Sequence, residues 1–238
     1  MLIVTFLDHS GFLIETERTA LLFDFASGEL PPLSEKPLVV FVSHRHADHF
    51  DPRVFALDDG EREVAFCLGS DFRLKPYHLA KWGITEETAR KCRRCGKGET
   101  FFTLNDTKVE TLPSTDEGVA FFVTADGHAI FHAGDLNWWH WAEDTAGNNA
   151  NMAANFRAYT EPLRGRRAEV AMLPLDPRLG PDAYHGVERF LELMDAERFL
   201  PMHQWGDYAF TERFLRERPQ YAGVTVPIRG RGERFVFE

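Results

Sequence analysis

The sequence predicts a layered α/β protein of the α+β kind, and three observations point there. Short apolar runs bounded by turn residues fill the first half, the pattern of consecutive strands. Segments with helical spacing appear in the second half, where they alternate with further short strands. No linker, internal repeat or low-complexity tract interrupts the 238 residues. Residues 1–238 therefore read as one domain with a core large enough to need no staples.

The elements follow in order. Leu2 to Leu7, Gly11 to Glu15 and Ala20 to Phe25 read as strands, with turns at Asp8-His9-Ser10-Gly11 and Glu17-Arg18-Thr19. Leu38-Val39-Val40-Phe41-Val42 is a continuous β-branched and aromatic run, as expected of a strand buried on both faces. Glu63 to Leu68, Thr100 to Leu104, Lys108 to Leu112, Val119 to Thr124 and His128 to His132 follow as strands. The Ala125-Asp126-Gly127 turn makes the last two a hairpin. Asn148 to Leu163 carries few breakers and reads as a helix. In Asp182 to Met194, Val187, Phe190, Leu191 and Met194 form one apolar stripe, with Asp182 after Pro181 as the expected cap. Tyr208 to Arg218 is a third helix, stopped by Pro219. Strands at Glu169 to Leu173 and Arg198 to Leu200 separate these helices, and two more close the chain near Val224 and Phe235.

Composition narrows the function classes. Hydrophobic residues make up 44% and charged residues 27%, an ordinary globular balance. Lys plus Arg total 27 against 37 Asp plus Glu, a net charge of -10 that repels phosphate backbones, so no nucleic-acid partner is expected. Three cysteines cannot all pair and form no disulfide scaffold. The amino terminus lacks a basic n-region, and no apolar run approaches the roughly 18 residues that span a bilayer. The expectation is a cytoplasmic protein without a membrane span that acts on a small molecule. Its oligomeric state is not legible in the sequence.

Directly after the buried strand comes Ser43-His44-Arg45-His46-Ala47-Asp48-His49. Three histidines and an aspartate crowd into this loop, in a chain with 10 histidines. Imidazole and carboxylate are the usual ligands of zinc and its neighbours, and a loop at a strand end aims several of them into one pocket. A solvated histidine-rich loop is the plain alternative; ligand density and position favour metal binding over it.

His44-x-His46-x-Asp48-His49 resembles the HxHxDH signature of the metallo-β-lactamase superfamily. Leu21-Leu22-Phe23-Asp24, Gly134-Asp135 and Pro201-Met202-His203 match further family segments in order along the chain. The opening, His9-Ser10-Gly11-Phe12-Leu13-Ile14, most resembles the branch containing L-ascorbate-6-phosphate lactonase and N-acylphosphatidylethanolamine phospholipase D. The resemblance implies a four-layer αββα sandwich and a hydrolase using two metal ions, zinc first. It implies that His44 and His46 hold one ion, that Asp48, His49 and His203 hold the other, and that Asp135 bridges both. Asp48 is the candidate catalytic residue, orienting the attacking water or carrying its proton. The implied substrate is a small ester, lactone or phosphodiester. A phosphodiesterase acting on lipid or nucleotide, and a non-hydrolytic metal-binding or redox module, are the rival readings.

One family element is missing. The third histidine of the first metal normally comes from the region that here reads Leu112-Pro113-Ser114-Thr115-Asp116-Glu117-Gly118. Asp116 is the local substitute by charge, with Thr115 or Ser114 positioning a water instead, and a plain chain turn is the equal alternative. The first site is therefore expected to be weak or empty, and a carboxylate there admits manganese or iron.

Other residues carry paired readings. His9 either bonds its own turn or faces the metal cleft. Asp24 ends a strand, where orienting a ligand imidazole suits a carboxylate. His132 lines the cleft or is a satisfied core histidine. Asp176, His185 and Trp138 are candidate substrate contacts, the histidine otherwise a solvated helix start. Trp138, Trp139 and Trp141 around His140 wall a pocket, form a subunit contact or pack in the core. Cys92-Arg93-Arg94-Cys95 lacks a second ligand pair and reads as a basic surface turn. Glycine-rich phosphate loops and a GxSxG elbow are absent.

Overall fold

The computed structural model describes residues 1–238 and stacks two β-sheets face to face between two helical layers. The first sheet contains β1 (Leu2–Asp8), β2 (Gly11–Glu15), β3 (Ala20–Phe23), β4 (Leu38–Val42), β5 (Val64–Leu68) and β6 (Cys92–Arg94). The second contains β7 (Thr100–Phe102), β8 (Lys108–Pro113), β9 (Val119–Ala125) and β10 (His128–His132). Then come β11 (Arg167–Ala168), β12 (Val170–Pro174), β13 (Asp195–Ala196), β14 (Phe199–Met202) and β15 (Arg234–Phe237). Helices α1 (Pro76–Lys81) and α2 (Glu86–Arg90) fall between β5 and β6, and α3 (Ala146–Thr160), α4 (His185–Leu193) and α5 (Phe210–Glu217) in the second half.

The first sheet runs β15-β1-β2-β3-β4-β5-β6, and the second β14-β12-β10-β9-β8-β7, with β11 and β13 as a separate pair. Strands β3 to β6 are parallel, as are β10, β12 and β14. Period-two alternation explains the layering. Along β4, Val39 and Phe41 join the core between the sheets, while Leu38, Val40 and Val42 face the outer layer with Val54, Phe55 and Ile84. Phe156, Phe190 and Phe214 bring α3, α4 and α5 onto the other sheet. This is the αββα order that the resemblance implied.

Departures are local. Helix α3 starts earlier than expected because the Thr145 side chain accepts from Asn148 N and caps it. Helix α4 starts at His185, after a 3-10 turn over Pro177–Asp182 in which Gly180 takes φ 58°. Asp182 does not cap it: its carboxylate meets the His185 ring at 3.0 Å instead. The expected Cys92–Cys95 surface turn is also corrected. Cys92–Arg94 pairs with β5 as an edge strand, which carries Cys95 into the buried core beside Cys67.

Candidate metal centre

The ligand-bearing residues emerge at one rim, where the parallel strands end. Open α/β sheets place their sites at the carboxyl ends of such strands. Asp24 follows β3, the His44–His49 loop follows β4, and Asp135 follows β10. Asp176 follows β12, His203 follows β14, and the β1–β2 turn brings in His9. Three backbones close around the loop: a Cβ on Gly69 or Gly118 would meet the Ser43 carbonyl at 2.0 or 1.9 Å, and one on Gly134 the Ser43 Cβ at 2.7 Å. Only glycine lets these chains approach.

Carboxylates and a hydroxyl set the imidazoles from behind. His49 Nδ1 lies 2.7 Å from Asp24 Oδ2, and His203 Nδ1 lies 2.8 Å from Asp176 Oδ2. Asp24 also accepts from Ser43 N at 2.7 Å and from Ser43 Oγ at 2.6 Å. Because that hydroxyl proton goes to Asp24, Ser43 Oγ accepts from His44 Nδ1 at 3.0 Å. In all three rings Nδ1 is turned to a partner behind the site and Nε2 points into it, the arrangement of a metal ligand.

Two donor groups result. His44, His46, Asp116 and Asp135 offer atoms within 4.8 Å of one another, and so do His9, Asp48, His49 and His203. Asp135 joins the groups: Oδ2 is 3.5 Å from His44 Nε2, while Oδ1 is 3.1 Å from His49 Nε2 and 3.3 Å from His203 Nε2. The buried Nε2 atoms of His9, His44, His49 and His203, with Asp135 Oδ1, have no hydrogen-bond partner. Orphaned buried polar atoms are costly unless something fills the space between them. A cation fits that space.

The charges agree. Burial and the neighbouring His49 pull His44 down to about 4, so its imidazole is neutral at pH 7. Burial opposes a charge on His49, yet Asp135 and Asp24 outweigh it and hold that ring well above its usual value. Burial lifts Asp176, but hydrogen bonds from His203 and Arg178 reverse this and bring it to about 2. Backbone strain gathers here as well. His9, Asp24, His203 and Trp205 adopt φ of 48°, 41°, 65° and 53°, a region that costs such residues about 1–3 kcal/mol each.

The structure sorts the sequence candidates. His9 turns into the cleft, with Nε2 3.3 Å from Asp48 Oδ2. Asp116 Oδ2 lies 3.5 Å from His46 Nδ1. Ser114 instead receives Asp116 N, and Thr115 bonds the Asp135 and Asn137 carbonyls. His132 is a core residue, bonded through Nε2 to the Ser10 carbonyl and stacked on Phe23. Three substrate contacts are corrected. Asp176 is fully buried behind His203, drawn there by the imidazole and Arg178. Trp138 and His185 pack together over a different groove, where Arg157 covers the Trp138 ring at 4.5 Å. His140 faces that side too.

The cavity over the donors measures about 300 Å³, and Trp139, Trp141, Met152, Trp205 and Arg178 complete its wall. Sequence reading missed Arg178, Met152 and Trp205; nearness to Asp176 and His203 was the one signal for Arg178 and Trp205, and Met152 carried none. The tryptophans separate by burial: Trp139 is 7% exposed and donates to the Asp135 carbonyl, whereas Trp141 stands half-buried beside it. Trp139→Ala is expected to cost about 3–5 kcal/mol, read as a large fall in Tm. Trp141→Ala is expected to leave Tm close to wild type and raise KM, so thermal melts beside kinetics check both.

A model of the beta-lactamase superfamily domain matches residues 3–145. A UPF0173 metal-dependent hydrolase of Methanosarcina barkeri is 27% identical over 143 residues, covering 56% of this chain and 60% of that protein. A UPF0173 metal-dependent hydrolase of Opitutus terrae is 29% identical over 152 residues, covering 56% and 62%. The matches thus span about three fifths of those relatives' length. Among solved structures, Igni18, a metallo hydrolase from Ignicoccus hospitalis, superposes with a TM-score of 0.63 at 17% identity over 100% and 99% of the two chains. The metallo-beta-lactamase fold protein YhfI from Bacillus subtilis gives 0.61 at 13% identity over 99% and 100%. No helix of this chain is long and apolar enough to cross a membrane.

Proposed function

This chain belongs to the beta-lactamase superfamily, and on that premise we propose that it is a metal-dependent hydrolase of small esters, lactones or phosphodiesters. The observation that carries the reading is Asp135, whose two carboxylate oxygens are divided between two groups of imidazoles and carboxylates. His44, His46 and Asp116 would hold one ion with Asp135, and Asp48, His49 and His203 the other. His9 stands against Asp48 at the edge of the second group. Divalent ions held there supply Lewis acidity, which polarises an acyl or phosphoryl oxygen and makes water nucleophilic at neutral pH. Asp48 is the one carboxylate of the second group open to the cavity, so it orients the attacking water and takes up its proton. Trp139 and Trp141 exclude bulk water from that face of the cavity.

Both named relatives are called metal-dependent hydrolases, which supports this reading. Zinc is the first candidate, given four imidazoles among the donors that the two ions would share. Asp116, where a third imidazole would stand, favours a second reading in which a harder ion such as iron or manganese occupies the first position. The test is elemental analysis of protein prepared without chelator, followed by an ester, lactone and phosphodiester panel. Stoichiometric metal with turnover that a chelator abolishes and zinc restores is expected. Absence of stoichiometric metal under every loading condition, or a loaded protein inert across the panel, overturns it.

A further inference from the structure

Arg178 is the one permanent cation on the cavity wall, and half of its guanidinium is already engaged. Asp176 takes the side edge: Nε lies 3.0 Å from both carboxylate oxygens and Nη2 lies 2.6 Å from Oδ2. The same Oδ2 meets His203 Nδ1 at 2.8 Å and Trp205 Nε1 at 3.2 Å, so this carboxylate is saturated with donors. Nη1 has no partner in the protein. The guanidinium carbon sits 4.3 Å from the Trp205 ring centre and 5.5 Å from that of Trp141, cation–π contacts that help hold it in place. The side chain nevertheless remains 45% exposed.

A clamp for Asp176 would need only the engaged edge. The other edge, Nη1 with the second hydrogen of Nη2, is left as a planar pair of donors on a residue that lines the cavity. That pair matches the two oxygens of a carboxylate. It stands one carboxylate and one imidazole away from the donors of the second ion group, and Trp139, Trp141 and Met152 line the same cavity. Trp205 accepts a strained backbone, at φ 53°, to hold its half-exposed indole against Arg178.

We propose that Arg178 binds a free carboxylate of the substrate, so that the molecule hydrolysed is an acid-bearing ester or lactone whose short apolar spacer lies along the tryptophan wall. This rests on the hydrolase reading above and narrows its substrate class. A cavity of about 300 Å³ limits the whole ligand to a small organic acid derivative.

Ligand binding tests the idea without turnover. Zinc-loaded protein is titrated, by tryptophan fluorescence, with succinate, glutarate, adipate and terephthalate, and with the matched monocarboxylates butyrate, valerate, hexanoate and benzoate. One carboxylate engages the metals in every case, and only a dicarboxylate reaches Arg178 as well. At least one dicarboxylate is expected to bind tenfold or more tightly than its partner, and Arg178→Met to reduce that ratio below about twofold. A ratio that never exceeds threefold in the wild type, or one that survives in Arg178→Met, overturns the proposal. Zinc content of the variant is measured in parallel. Loss of zinc with an unchanged ratio in the zinc-replete variant identifies a mere clamp for Asp176 and His203, and rejects carboxylate recognition. If the wild type retains no zinc, or binds no carboxylate at all, the metal-centre reading fails first, and the two failures are told apart.

Discussion

Asp48→Ala is expected to lower kcat/KM by about 10²–10⁴-fold, the usual size of a lost acid–base group, while leaving Tm within a few degrees of wild type. Its side chain is 29% exposed and faces the cavity, so truncation opens no void in the core. What disappears is a negative charge held among three imidazoles: Oδ2 is 3.3 Å from His9 Nε2, 3.8 Å from His203 Nε2 and 3.9 Å from His49 Nε2. Burial alone would raise this carboxyl, but His9 and His49 keep it well below the ordinary range and therefore ionised. Asp48→Asn separates shape from charge. It preserves volume yet offers no negative oxygen to the metal and no place for a proton, so it should be nearly as damaged as the alanine variant. Metal content measured on both variants distinguishes a lost ligand from a lost proton acceptor. Near wild-type turnover in either variant removes Asp48 from the mechanism.

Much of this site was legible because its chemistry is local. Seven consecutive residues, Ser43 to His49, carry four of the donors and follow a strand whose burial the run Leu38 to Val42 already announces. Asp24, Asp135 and His203 could be placed by order alone, since each follows a strand. The illegible parts depend on where distant loops meet. The His203 amide donates to the His9 carbonyl at 3.1 Å, which draws the β1–β2 turn over the metal centre; nothing near His9 in sequence encodes that bond. Arg178 is invisible for the same reason, because its meaning lies in Asp176, Trp141 and Trp205 together. The short helices α1 and α2 span six and five residues, too few to show a helical period, and the sequence therefore offers no sign of them. Trp138 was misplaced by adjacency. Neighbours in sequence point to different sides once the chain leaves the strand, so Trp139 enters the core and Trp138 turns to Arg157.

Titration of metal-free protein with zinc should show two unequal steps, the weaker belonging to His44, His46, Asp116 and Asp135. The argument is anchoring. In the second group His9, His49 and His203 have side chains only 8%, 0% and 2% exposed, and Asp24 and Asp176 fix two of these rings from behind. In the first group only His44 and Asp135 are buried; His46 and Asp116 are 47% and 41% exposed and meet each other at 3.5 Å. Ordering two mobile side chains costs rotamer entropy that the second group has already met in folding. Partners that orient a ligand are themselves worth about 10–100-fold in affinity, and neither His46 nor Asp116 has one of the kind that Asp24 supplies to His49. Asp116→Ala should therefore weaken the lower-affinity step alone. Asp116→His should strengthen zinc at that step and reduce its tolerance of manganese or iron, because imidazole is the softer donor. Calorimetry with zinc and with manganese on the three proteins reads both effects. Equal steps in the wild type overturn the anchoring argument, whereas an unchanged weak step in both variants removes Asp116 from the ligand set and leaves the first ion to His44, His46 and Asp135.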